Sequence, residues 1–400
     1  MTPVARTLCI IITIIKERKM RLLFTGDINF RGMPLQSEDE YAKILEEVMP
    51  YAESADYIIP NLECPLAEEG KYSPIKKSGP PLLCDPGHVK LLKAFGADAV
   101  TLANNHIGDF GDGALYDTLS LLRAENILYA GAGKDISEAY EAVRFEKGEV
   151  SASIISVCEN EFGIATEKTP GSAVYNSRRL FKRIKEEKEK SKYVIVVFHG
   201  GCEFNPLPSP DAVDRYRFII DMGADAVVGG HTHCPEGYEY YMGKPIVYSM
   251  GNFLFKSLSD LDKSNSWFYG YMTLLDLSNG VKLEIIPYSF DTEATRISVF
   301  TGNKLAKMTT YINKISNIIQ DSELLYLYFK GWTWKHKHFP SFPVNYDSTE
   351  KCAPNYNLVK CESHHSKTVE LAKIFFAEEF DLAKEWEKRI SELQIINIED

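Results

Sequence analysis

Gly223-Ala224-Asp225-Ala226-Val227-Val228-Gly229-Gly230-His231-Thr232-His233 decides how the rest of the chain reads. A small-small-Asp turn leads into a short apolar run, and two imidazoles follow the run. The plan occurs twice earlier. Ser54-Ala55-Asp56 precedes Tyr57-Ile58-Ile59-Pro60-Asn61-Leu62-Glu63, and Gly96-Ala97-Asp98 precedes Ala99-Val100-Thr101-Leu102-Ala103-Asn104-Asn105-His106. Each time a metal-capable side chain stands six to eight residues after the Asp. Apolar runs of this length, bounded by Gly, Asn or Asp, read as buried strands. If the three strands run parallel, Glu63, Asn105, His106, His231 and His233 share the edge beyond the strand C-termini, where open α/β sheets place their sites.

Working outward, further apolar runs stand at Arg21–Phe24, Ile154–Val157, Tyr193–Phe198 and Ile246–Ser249. Helical patterns at Tyr41–Met49, His88–Phe95, Gly113–Arg123, Ser177–Glu189 and Asp211–Met222 separate the runs. Alternation of this kind predicts a layered α/β fold. Trp267–Leu277 and Val281–Tyr288 flank Ser278-Asn279-Gly280, a hairpin signal, so the sheets should finish with antiparallel strands. After Ile297 the period becomes helical. Leu305, Met308, Ile312, Ile315 and Ile319 make one stripe, and Leu371, Phe375, Leu382, Trp386, Ile390 and Leu393 another. A Pro- and aromatic-rich connector is expected at Gly331–Pro354. The stripes predict packing against the main domain or a partner copy. The expected units are an extension at 1–19, an α/β domain at 20–297 and a helical appendage at 298–400.

Composition sets the outer limits. At 400 residues the chain exceeds one ordinary domain, and 44% hydrophobic with 25% charged residues excludes wholesale disorder. The formal charge of -11 repels phosphate backbones, so nucleic acid is not an expected partner. A phosphorylated small substrate stays open, because a bound metal reverses the local sign. Eight cysteines without a CxxC pair suit reduced thiols in a cytosol-like compartment. The run Leu8–Ile15 is too short to span a bilayer, and no cleavage site follows it. We read Met20 as the natural start and the protein as cytoplasmic, with an uncleaved anchor or an extracytoplasmic location as the rival.

Two more strands end on chemistry-bearing residues, Leu22–Thr25 on Gly26-Asp27-Ile28-Asn29 and Val194–Phe198 on His199-Gly200-Gly201-Cys202-Glu203. Five strand ends therefore deliver Asp27, Asn29, Glu63, Asn105, His106, His199, His231 and His233. Carboxylate, amide and imidazole together suit Mn, Fe or Zn rather than a thiolate-bound structural zinc. Two divalent ions need a bridging carboxylate, and Asp27 or Glu63 can serve. Of the five histidines before residue 300, only His88 lies away from a strand end. Cys352, Cys361, His364 and His365 fit no standard zinc spacing.

These segments resemble the CapA family, the capsule or poly-γ-glutamate synthesis proteins, within the calcineurin-like metallophosphoesterase superfamily. The matching residues are Gly26-Asp27-Ile28-Asn29-Phe30-Arg31, Asn61-Leu62-Glu63-Cys64-Pro65-Leu66, and Leu102-Ala103-Asn104-Asn105-His106 with Asp109 and Gly111. Gly131-Ala132-Gly133, His199-Gly200-Gly201-Cys202-Glu203, Gly230-His231-Thr232-His233 and Tyr248-Ser249-Met250-Gly251-Asn252-Phe253 follow in order, so that the resemblance covers roughly 21–257. It implies a four-layer α-β-β-α sandwich of the metallo-dependent phosphatase type. It implies Asp27, Glu63, Asn105, His199, His231 and His233 as ligands of two divalent ions, and His106 as proton donor. Asn29 stands where that superfamily usually has His, and Glu63 where it usually has Asp. The same motifs supply Asp109 and Arg31 as further catalytic candidates, and Asn61, Asn104, Glu203 and Asn252 as substrate contacts. The implied function lies in capsule or poly-γ-glutamate-type polymer synthesis, through metal-activated water attack on a phosphoester. Its partners would be an acidic polymer or phosphorylated small substrate and membrane synthetase subunits. Two alternatives are a non-catalytic accessory subunit and a cytosolic metal-dependent phosphodiesterase or nucleotidase.

Overall fold

A computed structural model describes residues 19–257, 260–338 and 349–398. The Leu8–Ile15 run and most of the expected extension lie outside the described residues.

Each small-small-Asp turn closes in the same way. The Asp56 carboxylate accepts the Arg21 N–H, Asp98 accepts the Ile58 N–H and Asp225 accepts the Val194 N–H, each at 2.8 Å. In return the backbone N–H of each Asp donates to the carbonyl of that same residue. Every Asp therefore clamps the start of its own strand to the start of the parallel neighbour. The register is set at one edge, so the strand ends emerge level at the other.

Among the described residues two large sheets result. The first has the order Ile297–Val299, Lys282–Phe290, Tyr269–Asp276, Arg21–Asn29, Tyr57–Leu62, Ala99–Thr101, Leu128–Ala130, with Asn252–Phe255 pairing the end of Arg21–Asn29. The second has the order Tyr238–Tyr241, Lys244–Val247, Ala226–Gly230, Tyr193–His199, Val150–Cys158, Val143–Lys147. Period-2 alternation divides the second sheet between two cores. Ile195, Val197 and Val228 face the first sheet. Val194, Val196 and Val227 face the outer helices Ser177–Lys188 and Pro210–Asp221 through Leu180, Ile184, Ile219 and Ile220. The other outer layer, over the first sheet, includes Tyr41, Ile44, Leu91, Leu92 and Leu119. This is the four-layer α-β-β-α sandwich, and it carries a helical C-terminal region.

That region comprises Gly302–Gln320, Ser322–Lys335, Thr349–Lys360, Glu362–Phe376 and Phe380–Leu393. Ile315, Ile319, Trp332 and Trp386 join the outer core of the second sheet, so these parts of the apolar stripes pack on the main domain, whereas Leu371 packs in a small cluster with Trp334 and Phe380 within the helical region and Phe375 is exposed. Two expected elements differ. Tyr41–Met49 is divided into Glu38–Leu45 and Met49–Ser54, the second carrying Pro50 in its first turn, because Pro50 lacks the N–H a continuous helix needs. The start of the expected Gly331–Pro354 connector lies inside Ser322–Lys335, and residues 339–348 are outside the described residues. Gly331 is needed there for close approach: a Cβ would stand 2.3 Å from the Trp386 carbonyl carbon. No helix among the described residues is long and apolar enough to cross a membrane.

Candidate metal centre

The level strand ends bring the two sheets together at one edge. Asp27 of the first sheet accepts the His231 N–H of the second at 2.9 Å. Only glycine fits opposite it, because a Cβ on Gly230 would stand 2.9 Å from Asp27 Oδ1. His231 and His233 themselves have φ of 92° and 57°, in the left-handed region that side chains rarely adopt. Strain of this kind concentrates at functional sites.

Glu63 lies at the centre. Its Oε1 is 3.5 Å from His199 Nε2, 3.9 Å from His233 Nε2 and 3.9 Å from His106 Nε2. Two overlapping groups form, Glu63–His199–His231 and Asp27–Glu63–His233, with ligand atoms within 4.8 Å of one another in each. Asn105 Oδ1 is 3.1 Å from His199 Nε2, and so is His231 Nδ1. Two oxygens, of Glu63 and Asn105, and one imidazole nitrogen thus surround a single nitrogen of His199. Both Glu63 oxygens are buried with no hydrogen-bond partner. An orphaned buried carboxylate is costly unless a cation meets it. Burial first, and then the Asp27 charge, push the Glu63 carboxyl well above the usual carboxylate range. The donor set fits divalent metal.

His106 stands beside this group with a different set of partners. Its Nδ1 meets Asp109 Oδ2 at 2.6 Å, which turns Nε2 toward Glu63. Asp109 is held in turn by Lys77 Nζ at 2.6 Å and the Leu82 N–H at 2.8 Å. Burial and the Lys77 ammonium lower the His106 pKa, against the pull of Asp109.

Not every candidate converges. Asn29 is turned away: its Nδ2 donates to the Glu63 carbonyl and its Oδ1 accepts the Arg31 N–H, so it supports the backbone instead of joining the ligands. Arg31 lines a separate cavity with Glu69 and Asp85. Asn61 donates to Asp27 at 2.6 Å, and Asn104 accepts the His106 and Ile107 N–H groups. Asn252 Oδ1 meets His233 Nδ1 at 2.9 Å. All three amides are buried, and each bonds to a residue of the centre or to its backbone. Glu203 lines an apolar pocket next to His106 and His233.

Sequence reasoning missed Lys77 and Glu161. Lys77 sits in a loop with no periodic signal. Glu161 follows the Val150–Cys158 strand, so scanning that strand end for carboxylates would have found it. Its Oε1 lies 3.7 Å from His231 Nε2. Burial raises its pKa, but His231, His364 and the Asn357 amide outweigh that and bring it to about 2. Asn357 donates to it at 3.0 Å, and Lys360 donates to its carbonyl. Nearby, Ser363 donates to Glu159 at 2.5 Å and Glu362 accepts the Asn160 N–H. The helical region thus holds the loop behind His231. Cys361 meets Glu159 there, with its thiol pushed up by burial.

The family model described as Bacterial capsule synthesis protein PGA_cap matches residues 21–257. Capsule biosynthesis protein CapA of Bacillus anthracis is 29% identical over 250 residues, 60% of this chain and 61% of that one. PGA biosynthesis protein CapA of Bacillus subtilis (strain 168) is 32% identical over 237 residues, 58% of this chain and 62% of that one. The matches therefore span about six-tenths of the length of these relatives. Among solved structures, TT1561 of Thermus thermophilus overlaps at a TM-score of 0.35 and 12% identity, over 70% of this chain and 98% of that one.

Proposed function

The chain belongs to the bacterial capsule synthesis protein family PGA_cap, and from that premise we propose that it is a metal-dependent phosphoester hydrolase acting in capsule or poly-γ-glutamate-type polymer synthesis. The observation behind this reading is Glu63, whose two unpartnered oxygens lie where the two histidine-containing groups overlap. Asp27, Glu63, Asn105, His199, His231 and His233 would hold two ions, with Glu63 shared. Their nitrogen and oxygen donors suit Mn, Fe or Zn. When bound, such ions polarise a phosphoryl oxygen and lower the pKa of water toward neutrality.

The chain's own residues do the rest. Asp109 accepts the Nδ1–H of His106, so the second proton of the imidazolium form sits on Nε2 and faces the site. Lys77 and the Leu82 N–H hold the Asp109 carboxylate in place. His106 passes its Nε2 proton to the departing oxygen, a placed transfer worth roughly 10²–10⁴-fold in rate. The substrate would be a phosphorylated small molecule or the acidic polymer, and the partners membrane synthetase subunits. The domain limits 20–297 and 298–400 are part of the same proposal, as is a cytoplasmic location.

Metal analysis and turnover test the reading on the full chain. Wild type and His106→Asn should purify with equal metal, and His231→Asn without it. His106→Asn should lose most turnover on a phosphodiester with a poor leaving group and less on a nitrophenyl ester. Metal-free wild type would overturn the centre. Metal-loaded wild type with no phosphoester turnover would overturn the hydrolase and leave a binding subunit.

A further inference from the structure

The pocket beside His106 and His233 has a volume of about 340 Å³ and mostly apolar walls. Phe204, Phe255 and Trp267 line it together with Leu82. Phe204 and Trp267 stack at 5.7 Å and 22°, and Phe255 meets Trp267 edge-on at 5.1 Å. Trp267 also lies 4.9 Å from the His233 ring, so the aromatic wall is continuous with a proposed ligand. The indole N–H donates to the Phe255 carbonyl at 2.8 Å, which leaves no indole donor for a polar guest.

Phe204 is the unusual member. It is 39% exposed, against 7% for Trp267 and 5% for Phe255. Its φ is 64°, a conformation that a bulky side chain adopts only under constraint. Two hydrogen bonds of 2.7 Å impose that constraint. The Phe204 N–H donates to the carbonyl of Thr232, which lies between His231 and His233, and the Phe204 carbonyl accepts from Gln394 Nε2. The segment bearing Trp267 is tied to the same end of the chain, since the Ser266 N–H donates to the Gln394 carbonyl and the Ile396 N–H to the Ser264 carbonyl. Both ends of the stacked pair are therefore anchored, and an exposed aromatic face is held against the centre.

We infer that this pocket receives a planar aromatic group attached to the substrate's phosphoester, and that Phe204 and Trp267 select for it. The inference rests on the phosphoester reading for the position of the anionic end. Flat rings favour offset or edge contact with other rings. A glutamate-like carboxylate would lose its water against these rings and meet the like charge of Glu203 in the same lining, so a repeating unit of an acidic polymer does not suit it.

The test compares phenylphosphonate with methylphosphonate, titrated by calorimetry into the full chain loaded with Mn²⁺. Burying one ring should favour phenylphosphonate by about tenfold or more. In Phe204→Ala, an exposed position, that preference should fall by about threefold or more through loss of one of the ring contacts. Equal affinities in wild type, or a preference unchanged in Phe204→Ala, would overturn the inference. If neither phosphonate binds, the phosphoester reading fails on its own, and benzyl alcohol followed by saturation-transfer NMR decides the pocket. Binding that disappears in Phe204→Ala keeps the pocket assignment; absence of binding in wild type removes it.

Discussion

Two buried carboxylates, one at each end of the strands, are treated in opposite ways. Glu187, near the strand starts, is fully enclosed and fully partnered. Arg144 grips it through Nε and Nη2 at 2.6 Å each, Ser153 donates at 2.9 Å and Lys190 at 3.1 Å. Burial alone would raise its pKa, but these donors outweigh that and hold it at about 2. Glu63, past the strand ends, is equally enclosed and has no donor on either oxygen. The chain supplies partners to Glu187 and none to Glu63, and a bare carboxylate with both oxygens set among imidazoles points to a ligand.

The contrast breaks most easily at Glu63. Glu63→Gln should leave the fold intact and abolish metal retention, lowering affinity by well over about 10²-fold, since even residues behind the ligands are worth roughly 10–100-fold. Elemental analysis and a metal titration read this directly. Retained metal would make Glu63 a structural residue like Glu187. The reciprocal change sharpens the comparison. Glu187→Gln should cost about 2 kcal/mol in urea unfolding, with metal content unchanged. Two charge-assisted hydrogen bonds are weakened, and the value is discounted because the Arg144 side chain is 37% exposed.

Glu161 stands between these extremes. Like Glu187 it is ionised and partnered; like Glu63 it faces an imidazole of the centre. A carboxylate behind a ligating histidine fixes the ring and raises its basicity. Glu161→Gln should therefore weaken metal binding by about tenfold, roughly 1.4 kcal/mol, at little cost in folding. Asn357→Ala should act in the same direction, because its amide holds Glu161. A metal affinity unchanged in both would separate the helical region from the centre.

How far this was legible in the sequence follows from range. Strand ends are local: small-small-Asp, an apolar run, then Glu63, Asn105 or His231. The Asp clamps turn that local pattern into a common edge, so the ligand candidates could be placed before any contact was known. Side-chain direction was not legible. Asn29, Asn61, Asn104 and Asn252 stand at the right edge, yet their amides answer to backbone and neighbouring groups that only the folded chain brings near. Glu161 and Asn357 are separated by 196 positions in sequence, and their pairing depends on how helices dock. Phe204 gave no signal because its importance lies in a backbone angle.

The smallest effect, and the one that tests the physical basis of the contrast, is the pH dependence of the metal-free protein. Glu187 has a depressed folded pKa, so its contribution is present above the ordinary carboxylate value and is lost as pH falls toward about 2. Glu63 has a raised folded pKa. Its contribution is full below the ordinary value of 4.5 and is lost as pH rises through the folded value. His106 and His199 oppose that loss. Burial lowers both below 6.5, so the unfolded chain binds their protons more readily and stability rises with pH across that window. The Glu63 term therefore appears as a difference between two metal-free proteins. Wild type minus Glu63→Gln should decline above pH 4.5 by at most about 1.4 kcal/mol per pH unit, the limit for one proton. Saturating metal should remove the decline, because the cation takes the place of the proton. Urea midpoints from about pH 4 to 8, with chelator and with Mn²⁺, measure it across the window the two sets of shifts define. Parallel wild-type and Glu63→Gln profiles in chelator would show that Glu63 finds a donor, and would end the comparison with Glu187.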